Sequence, residues 1–476
     1  MKKFRRSFMI IIISLFASLP VYGGSAGSFT NNDVSVTADE GQRLSSYTLP
    51  KEIGVSPYFD FDFYIQRNPD LQRLVGTDSS VAFNQWLNSG LSEGRVASPY
   101  FDVKFYLERN PDLKKLFGTN YSAAFTHWID SGIADGRVAS PYFNIYFYLE
   151  ANPDLKAVFG TDYMAAFAHW LNEGLSEGRI ACPYFNSDFY LEANPDLKAA
   201  FGKDYAAAFD HWLNQGLSEG RVASPYFNSD FYLEANPDVK AALGTDSVAV
   251  FIHWLHVGVS EGRVASPYFN VHFYLEANPD LKSAFSNDYM AAFTHWLNEG
   301  LSEGRVASPY FDVHFYLEAN PDLKSAFGKN YVLAFAHWLN QGLSEGRVAS
   351  PYFDVQLYLD TNPDLKSVFG TDYVDAFTHW LTEGLSDGRV ASVYFDAKFY
   401  LEENPDLKSA FGTDYVAAFD HWLNQGLSEG RVASPHFNIH SYLKANPDLN
   451  AAFGTNYAAA FIHWLGQGLS EGRITE

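Results

Sequence analysis

SPYFNSDFYLEANPDVKAALGTDSVAVFIHWLHVGVSEGRVA, residues Ser224 to Ala265, decides the fold, because it carries the start and stop signals of three helices and recurs along the chain. Asn228 stands just before the apolar Phe231-Tyr232-Leu233, where a short polar side chain caps a helix by accepting a bond from a free backbone N–H. That helix must end before Pro237, because proline disfavours helical geometry at the residue before it, Asn236. Asn236 then reads as the cap of a second helix, with Pro237 at its first position and Asp238 near the positive end of its dipole. Gly244 supplies the stop, so this helix runs from Pro237 to Leu243. Asp246 caps a third, longer helix. Its apolar stripe is clearest at Tyr121, Ala124, Phe125, Trp128 and Ile129, one face of an α-helix. Gly258 followed by the apolar Val259 fits the Schellman pattern, in which the second residue folds back on the last turn.

The same 42 residues recur ten times without insertion, as 56–97, 98–139, 140–181, 182–223, 224–265, 266–307, 308–349, 350–391, 392–433 and 434–475. The anchor is Trp86, Trp128, Trp170, Trp212, Trp254, Trp296, Trp338, Trp380, Trp422 and Trp464. A period of this length marks a repeat array, in which each unit buries its apolar face against its neighbours. None of the three helices is long enough to be stable alone. The expected fold class is therefore all-α, a tandem-repeat α-solenoid-like array with three short helices per 42-residue unit. At helix spacings of about 8–10 Å, ten layers span on the order of 100 Å if extended, and a tighter superhelix is the other geometry. The end units deviate as capping units do: the first has Gln85 for His and Ser79 for Tyr, the last His436 for Tyr and Ser441 for Phe.

Residues 1–23 read as a secretory signal peptide: Lys2, Lys3, Arg5 and Arg6 precede a short apolar run, and Val21-Tyr22-Gly23 offers a cleavage point. The run is short for a membrane span of about 20 residues, although an uncleaved anchor is the alternative. No integral membrane segment is expected after cleavage. Residues 24–55, rich in Ser, Thr, Asn, Asp and Gly, read as a flexible lead-in or N-terminal cap. The formal charge of −23 becomes about −27 without the signal, which disfavours nucleic acid and anionic membranes as partners. Cys182, the one cysteine, takes a slot held elsewhere by Ser and reads as a Ser-sized replacement.

Almost every chemically interesting residue occurs once per unit, whereas a catalytic centre normally needs residues that occur once. No catalytic residues, metal site or cofactor are expected, and the reading is non-enzymatic. The His before each Trp, as in His211-Trp212, is expected to be hydrogen-bonded between helices; a metal role would need a carboxylate such as Asp238 or Glu261 folded nearby. Arg95, Arg137, Arg179, Arg221, Arg263, Arg305, Arg347, Arg389, Arg431 and Arg473 are expected to pair with the Asn-Pro-Asp and turn acids as a ladder that fixes register between units. The candidate binding row is Tyr100, Tyr142, Tyr184, Tyr226, Tyr268, Tyr310, Tyr352 and Tyr394, which would stack on sugar rings or contact a protein groove if it lies outside. Neither an EF-hand loop nor a Gly-Gly-x-Gly-x-Asp nonapeptide is present.

The run Tyr-Leu-Glu-Ala-Asn-Pro-Asp-Leu-Lys at 190–198, followed by Phe201-Gly202, His211-Trp212-Leu213 and Gly216 to Arg221, resembles a module of bacterial secreted or surface tandem-repeat proteins. The resemblance covers 56–475 and implies an exported bacterial repeat protein, with no catalytic residues to carry over. The expected function is a multivalent interaction or structural array, secreted or in the cell envelope or periplasm, for a repetitive ligand such as a polysaccharide. A protein-binding scaffold for a host or envelope partner is the alternative.

Overall fold

The first unit of the computed structural model splits its second helix into a 3-10 turn, Pro69–Leu71, and a short α-helix, Gln72–Val75, and every later unit folds around three seven-residue helices. In the fifth they are Ser229–Ala235, Pro237–Leu243 and Ser247–His253. Residues 57–474 are described, so the expected signal peptide and the whole of the expected lead-in, 24–55, lie outside the described residues. Among those residues the chain is an all-α tandem-repeat array without strands. The first helix begins where Asn228 Oδ1 accepts the Phe231 N–H at 3.0 Å, and the third where Asp246 Oδ1 accepts the Val248 and Ala249 N–H groups, each at 3.1 Å.

Two local expectations are corrected. The asparagine of Asn-Pro-Asp makes no side-chain cap on the second helix. Its amide turns inward instead: Asn194 Nδ2 donates to Tyr190 O at 2.7 Å and to Val222 O at 3.3 Å, tying the first helix to the end of the unit. Burial explains this choice, because an asparagine sealed from water must satisfy its own amide donors before it can serve as a cap. The Schellman closure, expected at the Gly-apolar pair, lies four residues later. The third helix runs without a break into a π-helical turn, Trp212–Gly216, in which the Leu217 N–H reaches back to Trp212 O at 2.9 Å. Only then does Gly220, at φ 68°, let Arg221 N–H bond Gly216 O at 2.9 Å.

Polar contacts close each unit on itself, and small ones join it to the next. Asp102 N–H bonds Ala139 O at 2.9 Å, first cap to last residue of the same unit. Across the joint, Ser98 Oγ donates to Pro57 O at 2.6 Å and Ser392 Oγ to Pro351 O at 2.7 Å. Cys182 fills this serine slot as a buried thiol whose pKa burial pushes up to about 12.

The described chain forms two compact parts, 57–256 and 257–474. Within the first part, the Gln66 amide of the first unit donates to Asn214 O of the fourth, and Glu108 of the second meets the His256 ring of the fifth at 3.0 Å. Within the second part, Val313–Ala319 of the seventh unit packs against the π turn Trp464–Gly468 of the tenth. Within each part, then, a unit meets the third one along as well as its immediate neighbour.

Ser286 is the one non-glycine among the described residues with a left-sided backbone, at φ 51° and ψ −109°, where its counterparts are glycine. That region is reached almost only without a Cβ. Ser286→Gly is expected to stabilise the protein by about 1 kcal/mol or more, read as a rise in the denaturant midpoint; an unchanged or lower midpoint refutes it.

Candidate functional site

The tyrosine row does not face solvent. Tyr100, Tyr142, Tyr226 and Tyr268 are buried, and Tyr184, Tyr310, Tyr352 and Tyr394 are partly so. Several of the rings pack at right angles against the tryptophan of the following unit, Tyr142 on Trp212 at 5.7 Å, Tyr184 on Trp254 at 5.3 Å and Tyr310 on Trp380 at 5.5 Å between centroids, while Tyr100 meets Phe167 and Tyr394 meets Phe461 of the following unit. The expected exposed row is therefore joint core. The period revealed that the tyrosines align, but the side they face depends on how units coil over one another. The ten tryptophans are buried, as their anchor role requires.

The arginines pair within units and not between them. Arg221 makes a two-pronged contact with Asp196, Nη1 to Oδ1 at 2.9 Å and Nη2 to Oδ2 at 2.8 Å, and its Nε holds Glu219 of the closing turn. Its Nη1 also donates to Asn194 Oδ1 at 3.2 Å. Arg95, Arg137, Arg305, Arg347, Arg389, Arg431 and Arg473 bond the matching Asp of their own units. The hydrogen bond from Arg221 holds the Asp196 carboxyl below the usual carboxylate range. The clamp thus sets the shape of one unit, while register between units falls to the aromatic joint.

Histidine sits at the centre of the unit, as expected for a structural role. His169 Nδ1 and the Tyr148 hydroxyl share a hydrogen bond of 2.7 Å, and the same bond recurs from His127 with Tyr106 to His463 with Tyr442. The hydroxyl lies over Gly174, where any Cβ would collide with it, so glycine is required in the π turn for space. In the first unit Gln85 Oε1 accepts from the Tyr64 hydroxyl, which shows that an amide can replace the ring. Burial pushes the tyrosine hydroxyls up and pulls His127, His211 and His337 down, so these three rings favour the neutral form.

The second helix and the turn after it face solvent. Asp196, Lys198, Ala199, Ala200, Gly202, Lys203 and Asp204 are exposed, and the sixth unit repeats this with Asp280, Lys282, Ser283, Ala284, Ser286, Asn287 and Asp288. Sequence reasoning also missed a side-chain cluster. In the third unit His169, Glu173 and Glu177 bring one ligand atom each within 4.8 Å of one another, and His295, Glu299 and Glu303 do so in the sixth. The signal lay in a residue that varies between units: the position four after the histidine is Glu173 or Glu299 there and Glu383 in the eighth unit, but Gln, Ser131 or Val257 in the others. No protein-family model, curated protein or solved structure matches this chain.

The depressed histidines set a pH dependence of stability. An unfolded ring titrates near 6.5 and these folded ones lower, so the contribution is full above that value and is lost as pH falls from it towards the folded pKa. The triple variant His127→Gln, His211→Gln and His337→Gln, keeping the tyrosine bond in the manner of Gln85, is expected to lose less stability than the parent between about pH 6.5 and 5. Urea midpoints measure this, and parallel pH profiles would overturn it.

Proposed function

We propose that this chain is an exported, non-enzymatic repeat protein that acts as a multivalent interaction or structural array at or beyond the envelope, on a repetitive ligand such as a polysaccharide. The observation that carries the reading is the recurrence, unit after unit, of one solvent-facing helix and turn with the same polar residues, as at 195–204 and 279–288. Weak contacts multiplied along one chain gain avidity without any strong single site, provided the ligand repeats as well. The Lys of that helix can donate to the hydroxyls of a sugar polymer, and its Asp can accept from them. Export rests on the signal-like residues 1–23, and no helix among the described residues is long and apolar enough to cross a membrane.

A protein-binding scaffold is the second reading, and one observation favours it. On the exposed second helix most units carry Ala where the first, second, third and eighth carry Leu74, Leu116, Val158 and Val368, all open to solvent. Such differences single out particular units, as a folded partner would.

The two readings separate on the full chain. Retention on an insoluble glycan, reversed by soluble polymer at least about tenfold better than by its short oligosaccharide at equal sugar concentration, is the multivalent outcome. Absence of retention on every glycan and wall fraction, with helicity intact by circular dichroism, overturns it in favour of the scaffold.

A further inference from the structure

We propose that His169-Glu173-Glu177 in the third unit and His295-Glu299-Glu303 in the sixth are two equivalent binding sites for a divalent cation of the zinc class. The backbone supplies the spacing. Histidine ends the third α-helix, the first glutamate lies on the π turn four residues on, and the second lies in the closing turn after it. His169 Nε2 stands 3.6 Å from Glu173 Oε2 and His295 Nε2 stands 3.7 Å from Glu299 Oε2. Two ligands held at about 2.0–2.2 Å from one zinc ion in tetrahedral geometry lie roughly 3.4 Å apart, so the pair is already close to ligand separation. Arg179 Nε holds Oε2 of Glu177 at 2.8 Å, and a carboxylate has a second oxygen for an ion.

The histidine is oriented in the manner of a metal ligand. Its Nδ1 is fixed by the Tyr148 hydroxyl at 2.7 Å, and by Tyr274 in the sixth unit at 2.7 Å, which leaves Nε2 directed at the two carboxylates. The ring is mostly covered while both glutamates reach into solvent, so an ion has an open approach and a free coordination position. One imidazole and two carboxylates suit zinc better than calcium, which prefers oxygen alone. The chain holds internal controls. The fourth, seventh, ninth and tenth units keep the histidine and the closing glutamate but have Gln215, Gln341, Gln425 and Gln467 at the middle position. In the eighth unit His379 and Glu383 are followed by Asp387, one methylene shorter, and those three do not form the cluster.

The test is calorimetric titration of the full untagged chain with zinc, with calcium at equal concentration as competitor. The expected result is about two zinc ions bound per chain and no displacement by calcium. The double variant His169→Gln and His295→Gln removes the nitrogen ligand while keeping a partner for each tyrosine, as Gln85 does in the first unit. A second variant, Glu173→Gln with Glu299→Gln, copies the glutamine units on the exposed surface. Each is expected to lose affinity by at least about tenfold with its thermal melting unchanged in the absence of metal. Uptake unchanged in both variants, no uptake by the parent, or displacement by equal calcium would each overturn the assignment. None of these outcomes depends on glycan or partner binding.

Discussion

A tyrosine ring driven edge-on into the tryptophan of the next unit, as Tyr142 meets Trp212, is the contact on which the array depends. Helices of seven residues have no stability of their own, since the cost of starting a helix is repaid only over a longer run or against a packed neighbour. The indole supplies the largest apolar surface in the unit, and Phe185 covers one of its faces at 4.7 Å within the unit while the incoming Tyr142 closes its edge. Trp86 of the first unit is buried even without a preceding repeat, because Phe125 of the second meets it edge-to-face at 5.3 Å, so the array is held by joints with both neighbours rather than by separate cores. Emptying one such joint by Trp→Ala would remove about 3–5 kcal/mol of packing and detach two neighbours at once.

The polar groups make that joint repeatable. Asn194 sits sealed beneath the arginine clamp, bonded to Tyr190 O, Val222 O and Arg221, so the three segments of the unit meet at one side chain. A buried amide left half-satisfied is costly, which fixes the angle between first helix and closing turn in every copy. Identical angles make identical joints, and identical joints return the chain onto the third unit along. The Tyr–His bond above the π-turn glycine performs the same service for the third helix, locking where tryptophan emerges.

Much of this fold was legible in the residues. Pro237 and Gly244 bounded the second helix to the residue, and Asn228 and Asp246 capped the helices after them. Those signals are local: each depends on one backbone N–H or one φ angle. What was misread depends on distance in space. Asn236 looked like a cap because capping is what asparagine does in isolation; burial gave its amide closer partners. Tyr100 and its counterparts aligned in a row whichever way the coil turned, and only the packing of unit on unit put them inside. The arginine–aspartate pairing was visible as chemistry, but the sequence could not distinguish a partner in the same unit from one in the next.

The constancy of a position across units therefore carries information about structure more than about function. Trp, His, Tyr, Asn, Arg and the two glycines recur because each copy must present the same joint to its neighbour, and their chemistry is consumed in doing so. Individuality lies at positions that packing leaves free. The residue before the histidine is Asp210 in the fourth unit, raised above the usual carboxylate range by burial and by Asp60 and Asp62 of the first, and Asp420 in the ninth, raised to about 6 by burial and Asp414; elsewhere it is Thr, Ala, Ile or Asn. The residue four beyond the histidine is Glu in three units, and the exposed second helix carries Leu or Val in four. A repeat that were only a spacer would have no physical reason to confine acid and apolar side chains to chosen copies. The variable positions are thus the places where one unit is chemically distinguishable from the next, on a scaffold whose invariant residues keep them at fixed intervals.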